Sequence, residues 1–517
     1  MTFVFALLLA IPASFSSCNH TGARNSPSLH VGDSIIANGG KLASIYCGSC
    51  HMLPDPSLLD KKTWRQSVLP LMGPHLGIFQ YNFKNYPSNI GDRFLARNYY
   101  PSKPGITLTQ WQNIIDYYDA LSPESLPSQN RRESIIAGLP LFTPEKPALQ
   151  YETPTTSFVK IDNSGDAHHL LVCDAITRNV YRFNKDLALV DSLKAKGPIV
   201  DMELQKSSIL ACNIGVLNPN NGKFGSGEFI TFNHKHRMKE DNVPLFENLG
   251  RPVQITAVDL NRDGREDYLV CEFGYLMGSL SWMENKGGGK FEHHVLSSLP
   301  GAIKAYIRDE NHDGLPDIWV LFAHAEEGIF LFTNKGNGQF DQQEILRFPP
   351  VYGSSYFEFD DFNHDGFPDI LYTCGDNGDF SRILKPYHGV YIFLNDGKDH
   401  FTQKYFFPLN GCYKAMARDF DGDGDLDIAT IAYFADFGSQ PGEGFVYLEN
   451  KGDFSFQPST LPEAEEGRWL TMDAGDLNGD GKPDIVLGNF SAGPTLMRSK
   501  TNWEKGPPFL VLLNRGK

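Results

Sequence analysis

Five segments of this 517-residue chain carry the pattern D-x-[DN]-x-D-G-x-x-D, and each leads directly into an apolar run. They are DLNRDGRED (259–267), DENHDGLPD (309–317), DFNHDGFPD (361–369), DFDGDGDLD (419–427) and DLNGDGKPD (476–484), with starts 50, 52, 58 and 57 residues apart. A unit repeated at such a period cannot bury an apolar face alone, so the copies must stack on one another. Side-chain oxygens at positions 1, 3, 5 and 9, a main-chain carbonyl at position 7 and glycine at position 6 form the hard-ligand set that Ca2+ requires. The candidate ligands are Asp259, Asn261, Asp263, Arg265 and Asp267; Asp309, Asn311, Asp313, Leu315 and Asp317; Asp361, Asn363, Asp365, Phe367 and Asp369; Asp419, Asp421, Asp423, Asp425 and Asp427; and Asp476, Asn478, Asp480, Lys482 and Asp484. Arg265, Leu315, Phe367, Asp425 and Lys482 would serve through their carbonyls. The twelfth position, where an EF-hand places a bidentate glutamate, is Val270, Val320, Tyr372, Thr430 or Leu487, each inside an apparent strand. One such loop could be a metal-free turn; five with one spacing predict up to five Ca2+ ions.

The loops sit between apolar runs such as TAVDL and DYLVC and are followed by WMENKGGG, LFTNKGNG, IFLNDGKD and YLENKGDF, whose Asn and Gly residues mark turns between strands. In this order they resemble the FG-GAP or VCBS repeats of the integrin alpha-subunit propeller, which implies four-stranded blades with the acidic loop joining the two inner strands. Two weaker units precede the five, one through Phe158–Asp162, His169–Asp174 and Asn179–Phe183, the other through Ile199–Glu203, Ser208–Cys212 and Glu228–Phe232. The expectation is seven blades. The last unit stops at its third strand, so a segment near Ala148 to Thr153 is expected to supply the fourth and hide an open edge.

Residues 47–51 read Cys-Gly-Ser-Cys-His, the c-type haem attachment pattern, in which two thiols add to the porphyrin vinyls and the adjacent histidine reaches the iron. A zinc site would need two more ligands nearby, and the next cysteine is Cys173. Helical patterns flank the motif at Gly40–Tyr46 and Leu108–Tyr118. Together they resemble the first and last helices of a class I cytochrome c, which implies one covalent haem c held by Cys47, Cys50 and His51. For the sixth iron ligand Met72 is the first choice, with His75 or an open position as alternatives. A carbonyl around Pro54 to Pro56 is expected to orient the His51 ring. The organisation read from sequence is multidomain: a signal peptide (1–17), a linker (18–29), a small all-α cytochrome c domain (30–125), a second linker (126–146) and an all-β seven-bladed propeller (147–517).

The apolar run Phe3 to Ala13 is too short to span a bilayer and ends before Cys18 in a way that resembles a bacterial lipoprotein signal. The chain is expected to be exported, periplasmic or at the cell surface, and held to the membrane if Cys18 is lipidated. Cys173, Cys212, Cys271, Cys374 and Cys412 end apolar runs and read as small core residues. A net charge of −16 argues against nucleic acid as a partner. Residues after the second strands (Asp174, Asn213, Glu272, His324, Asp376, Asn377, Tyr433, Asn489) should gather at one end of the channel as a ligand site or as plain turn chemistry, and the long 375–389 connection carries Arg382, Lys385 and His388. No nucleophile elbow or phosphate loop is present. The functional expectation is one-electron transfer, with the propeller docking a redox partner protein or small-molecule substrate. The alternatives are a propeller oxidoreductase using the haem as acceptor and an adhesion or carbohydrate-binding propeller with a haem sensor.

Overall fold

Each acidic loop turns one strand back into a second that is buried along its whole length: Asp267–Glu272, Asp317–Phe322, Asp369–Cys374, Asp427–Ala432 and Asp484–Asn489. A continuous apolar run suits such a strand, because it is covered on both faces. In this computed structural model, which describes residues 32–79, 92–164, 168–240, 243–378, 381–493, 503 and 505–516, these strands lie second in antiparallel sheets. Seven sheets form, with innermost strands Thr156–Asp162, Ile199–Leu204, Pro252–Val258, Ala302–Arg308, Ser354–Asp360, Cys412–Arg418 and Trp469–Gly475. The protein is a seven-bladed β-propeller, and the two weak units are its first two blades. In the second blade, Met238–Glu240 and Phe246–Leu249 both pair with the third strand, Gly225–Phe232.

An innermost strand has an unpaired edge, which leaves amides and carbonyls to be satisfied. At all seven junctions between blades, a side chain from one innermost strand bonds the main chain of the next. Ser157 donates to Ile199 O (2.7 Å), Glu203 accepts from Ala257 N (3.1 Å), and Gln254 both accepts from Ala305 N (2.7 Å) and donates to Ala305 O (3.0 Å). Tyr306 donates to Phe357 O (3.0 Å), Glu358 accepts from Ala417 N (2.6 Å), Lys414 donates to Met472 O (2.9 Å) and Asp473 accepts from Ile161 N (2.8 Å), which closes the ring. Burial, opposed in part by Asp473, lowers the Lys414 amine to about 8.

The last blade takes its outer strand from upstream. Phe142–Glu145 pairs antiparallel with Phe509–Asn514, and Phe142 packs edge-on against Phe420 and Tyr447. The closing strand therefore lies upstream of Ala148 to Thr153, where Tyr151 makes only an isolated bridge to Gly506. Pro144 is tolerated because it sits on an edge strand. Just before it, Ile136–Ala137 adds a short parallel strand to the sixth blade.

The expected all-α domain does not stand apart. Helices Asp33–Tyr46 and Leu108–Leu121 form as the periodicity predicts and cross closely at Gly39, where a Cβ would lie 2.0 Å from Asn113 O. Between them an irregular helical run passes without a break from α through π and α to 3-10 geometry, over Lys61–Thr63, Trp64–Val68, Leu69–Met72 and Gly73–Leu76. These helices do not enclose a core of their own. The cluster of Leu42, Trp64, Val68, Trp111, Ile114 and Tyr118 instead continues into Val351, Tyr352, Ile383 and Tyr387 of the propeller. The fold is nearly all-β, with a helical layer lying on the blade ends opposite the acidic loops. Tyr387 donates to Leu58 O (3.0 Å), Tyr99 to Leu276 O (3.1 Å) and Gln129 to His388 O (2.8 Å), while Arg131 pairs with the fully buried Glu443. No helix among the described residues is long and apolar enough to cross a membrane. The proposed signal peptide and Cys18 lie outside the described residues.

Candidate functional site

Each acidic loop is wound so that its carboxylates take up its own amides. In the third, Asp361 accepts from Asp365 N (3.1 Å) and Gly366 N (2.9 Å), Asn363 from Asp365 N (3.1 Å) and Asp365 from Phe367 N (2.9 Å). The same Gly-to-first-Asp bond recurs at 2.9–3.1 Å in the other four. The turn needs a left-handed residue at position 6, which Gly264, Gly314, Gly366, Gly424 and Gly481 supply with φ between 81° and 98°.

The ninth residue, Asp267, Asp317, Asp369, Asp427 or Asp484, is fully buried and fastens the loop to the blade. One oxygen accepts from the amide of the asparagine ending the third strand, namely Asn285, Asn334, Asn395, Asn450 or Asn514, at 2.7–2.9 Å. Those asparagines return a bond from Nδ2 to the carbonyl at loop position 8. The Asn-x-Gly signature is thus more than a hairpin signal, since it clamps the acidic loop. Burial pushes Asp369 and Asp427 up to about 6, opposed by these amide bonds. In the fourth loop, where position 3 is also aspartate, carboxylate oxygens of Asp419, Asp421 and Asp427 come within 4.8 Å of one another. Such a cluster offers hard oxygen ligands of the kind a divalent cation takes.

Cys47, Gly48, Ser49, Cys50 and His51 follow directly on the first helix. Both thiols are free, with Cys50 exposed and Cys47 half-buried. Burial, then the neighbouring Cys50, pushes Cys47 up to about 11. The His51 ring is oriented by Met52 O, 2.9 Å from Nδ1, rather than by a carbonyl of Pro54 to Pro56. Those carbonyls are already engaged: Tyr118 Oη donates to Pro54 O (3.0 Å) and Trp64 Nε1 to Pro56 O (2.9 Å). Met72 is half-buried and packs against the helical-layer core. His75, one turn on, is exposed, with its ring 5.9 Å from Tyr99 and 5.1 Å from Tyr100. Desolvation and then the charge of His51 lower its pKa, and Tyr99 in turn senses Cys50. His75 and Tyr99 lie beside blade 3, where Tyr99 donates to Leu276 O. Tyr99 and Tyr100 carried no motif that could have flagged them.

At the channel end, the polar groups expected to form a ligand rim are largely consumed by turns. Asp174 accepts from Thr155 N and Oγ1 and Thr177 N; Glu272 accepts from Gly250 N, Ser279, Ser281 and His293; Asn489 bonds Arg468 N and Pro507 O. Lys385 is buried and donates to Asn377 (2.8 Å), His388 is buried beneath the helical layer, and Arg382 is exposed. All five remaining cysteines are buried, as core residues should be.

Comparison with known proteins bears on the acidic loops. A model of the FG-GAP-like repeat matches residues 259–320, 309–372 and 419–487. A T-cell immunomodulatory protein homolog of Plasmodium falciparum (isolate 3D7) is 27% identical over 218 residues, 35% of this chain. The match spans 29% of that relative's length. Among solved structures, BBS1N in complex with ARL6DN is 10% identical with a TM-score of 0.42, covering 72% of this chain and 96% of that one. The N-terminal domain of Nup159 is 10% identical with a TM-score of 0.39, covering 74% and 99%. The chain is a seven-bladed β-propeller, and its residues 259–372 and 419–487 match the FG-GAP-like repeat.

Proposed function

We propose that this propeller is a calcium-stabilised scaffold carrying one covalent haem c on its helical layer, and that it exchanges single electrons with a partner protein or small molecule outside the cytoplasm. The observation that carries the reading is the CxxCH segment itself: two unbridged thiols three residues apart, followed by an imidazole whose Nδ1 is held by Met52 O so that Nε2 is left for a metal. Two buried donors of the same layer, Tyr100 Oη and Trp111 Nε1, have no hydrogen-bond partner among the described residues, which suits a layer made to take up a further polar group. The donor set therefore fits a haem. When bound, it would supply reversible one-electron chemistry.

The chain's own contribution is to hold and shield. Trp64 and Tyr118 pin the segment after the motif through Pro56 O and Pro54 O, and Tyr387 of blade 5 pins Leu58 O. The propeller thereby fixes the motif's position, and the five acidic loops, each holding Ca2+, stiffen the opposite end of the blades. If the N-terminal segment is removed and Cys18 lipidated, the whole assembly is tethered to a membrane surface.

The test is a haemochrome spectrum of the denatured, purified full chain after co-expression with c-type maturation machinery. Covalent haem at about one per chain, lost in a C47A/C50A double variant, is expected; colourless wild-type protein would refute the reading.

A further inference from the structure

We infer that Glu284, Glu292 and His294, on the two outer strands of blade 3, form a binding site for a transition-metal dication of the Zn2+ class. The third and fourth strands of that blade, Ser279–Asn285 and Phe291–Ser297, pair antiparallel with Glu284 opposite Glu292 and Trp282 opposite His294. Residues two apart on a strand share a face, so the register places two carboxylates and an imidazole side by side. His294 Nε2 lies 2.8 Å from Glu284 Oε2 and 3.9 Å from Glu292 Oε2, and one ligand atom from each of the three lies within 4.8 Å of the other two. Ligand atoms about 2.0–2.2 Å from a tetrahedral ion stand roughly 3.3–3.6 Å from one another. A small rotation of the exposed Glu292 side chain therefore completes the set.

Two of the ligands are already held in place. The His294 ring is backed by the buried Trp282, with centroids 4.8 Å apart and planes inclined by 32°. Glu284 Oε1 accepts from Asn261 Nδ2 (3.0 Å), which leaves Oε2 turned toward the imidazole. Carboxylates directly opposite across an antiparallel pair repel each other, and Lys286 answers with Nζ 2.9 Å from Glu284 Oε2 and 3.1 Å from Glu292 Oε2. That ammonium marks the point where positive charge is wanted. It is 45% exposed, and exposed ion pairs contribute little, so a doubly charged ion can displace it into solvent. The imidazole sets the class of ion: Ca2+ takes oxygen ligands, whereas imidazole suits Zn2+ and its first-row neighbours. The acidic loops offer no such nitrogen. Because Asn261 is the third position of the first acidic loop, an ion here would clip the two outer strands of the blade to that loop.

The test uses the full chain in a C47A/C50A background, so that those thiols do not compete, with the acidic loops saturated by excess Ca2+. Zn2+ is titrated by calorimetry and Co2+ by its visible absorption, in parallel with E292Q, H294A and K286M. One equivalent of Zn2+ per chain is expected, bound at least about tenfold more weakly in E292Q and H294A and more tightly in K286M. Co2+ should develop the intense visible bands of a low-coordinate site, and H294A should abolish them. Glu292 is 55% exposed, so E292Q keeps the fold and its result stands even if H294A does not fold. Absence of Zn2+ binding, or binding unchanged in E292Q and H294A, overturns the inference, as does an ion that excess Ca2+ displaces.

Discussion

Replacing Phe142 with alanine tests how the ring is closed. The side chain is 5% exposed and lies with its ring centroid 5.8 Å from that of Phe420 and 5.7 Å from that of Tyr447. Loss of a buried phenylalanine costs about 3–5 kcal/mol when the surroundings cannot collapse. The strand is only four residues long, Phe142–Glu145, and sits on an edge. It can therefore undock, and the loss cannot exceed the free energy that holds it in place, so a value near the lower end, about 3 kcal/mol, is expected. The assays are urea unfolding followed by tryptophan fluorescence, and chymotrypsin cleavage after Leu141, which is buried with the strand docked. F142A should lower the unfolding midpoint and open that bond to cleavage under native conditions. A loss below about 1 kcal/mol, together with no cleavage after Leu141 in F142A, would show that Phe142–Glu145 does not fasten the last blade.

Three further outcomes follow from the structure. Gln254→Leu removes both bonds to Ala305 and leaves a buried amide and carbonyl without partners, so it should cost about 2–3 kcal/mol in urea unfolding; a neutral effect would mean that the side-chain links between blades are ornamental. Burial raises Glu327 from 4.5 to about 7 against bonds from Ser354 and Gly353. Between those pH values the folded protein keeps a proton that the unfolded chain has lost, so stability from this group falls as pH rises, by roughly 3 kcal/mol in full above about pH 7. Glu327→Gln should flatten that slope, and an unaltered pH profile would exclude Glu327 as its source. Chelation with EDTA should lower the melting temperature and added Ca2+ restore it, less so in an Asp423→Asn variant; a melting temperature indifferent to both would exclude the loops as cation sites.

The blades were legible in the sequence because each carries its own local signals: five oxygen-rich turns, a continuous apolar run after each, and an asparagine turn beyond the third strand. Even the two weak units kept their strand order, so seven blades could be counted without the metal pattern. The closing strand was misplaced because Phe-Thr-Pro-Glu is only four residues long and holds a proline, and the open edge at Phe509–Asn514 selects it. The helices beside the CxxCH motif were found from their period, but their partners, Val351, Tyr352, Ile383 and Tyr387, lie more than two hundred residues downstream and leave no local trace. Hence a separate domain was expected where a shared core exists. At the channel rim, residue types suited to ligand binding proved to be turn and cap groups, a distinction that hydrogen bonds make and composition does not.

Phe142–Glu145 leaves the ribosome well before Phe509–Asn514, the strand it must pair with. At 5–20 residues per second the intervening stretch of roughly 370 residues takes on the order of 20–70 seconds to synthesise. Over that interval the earliest strand waits without its neighbour and the nascent wheel remains an open arc. A protein joined in this way can close its ring only after its last strand has been made.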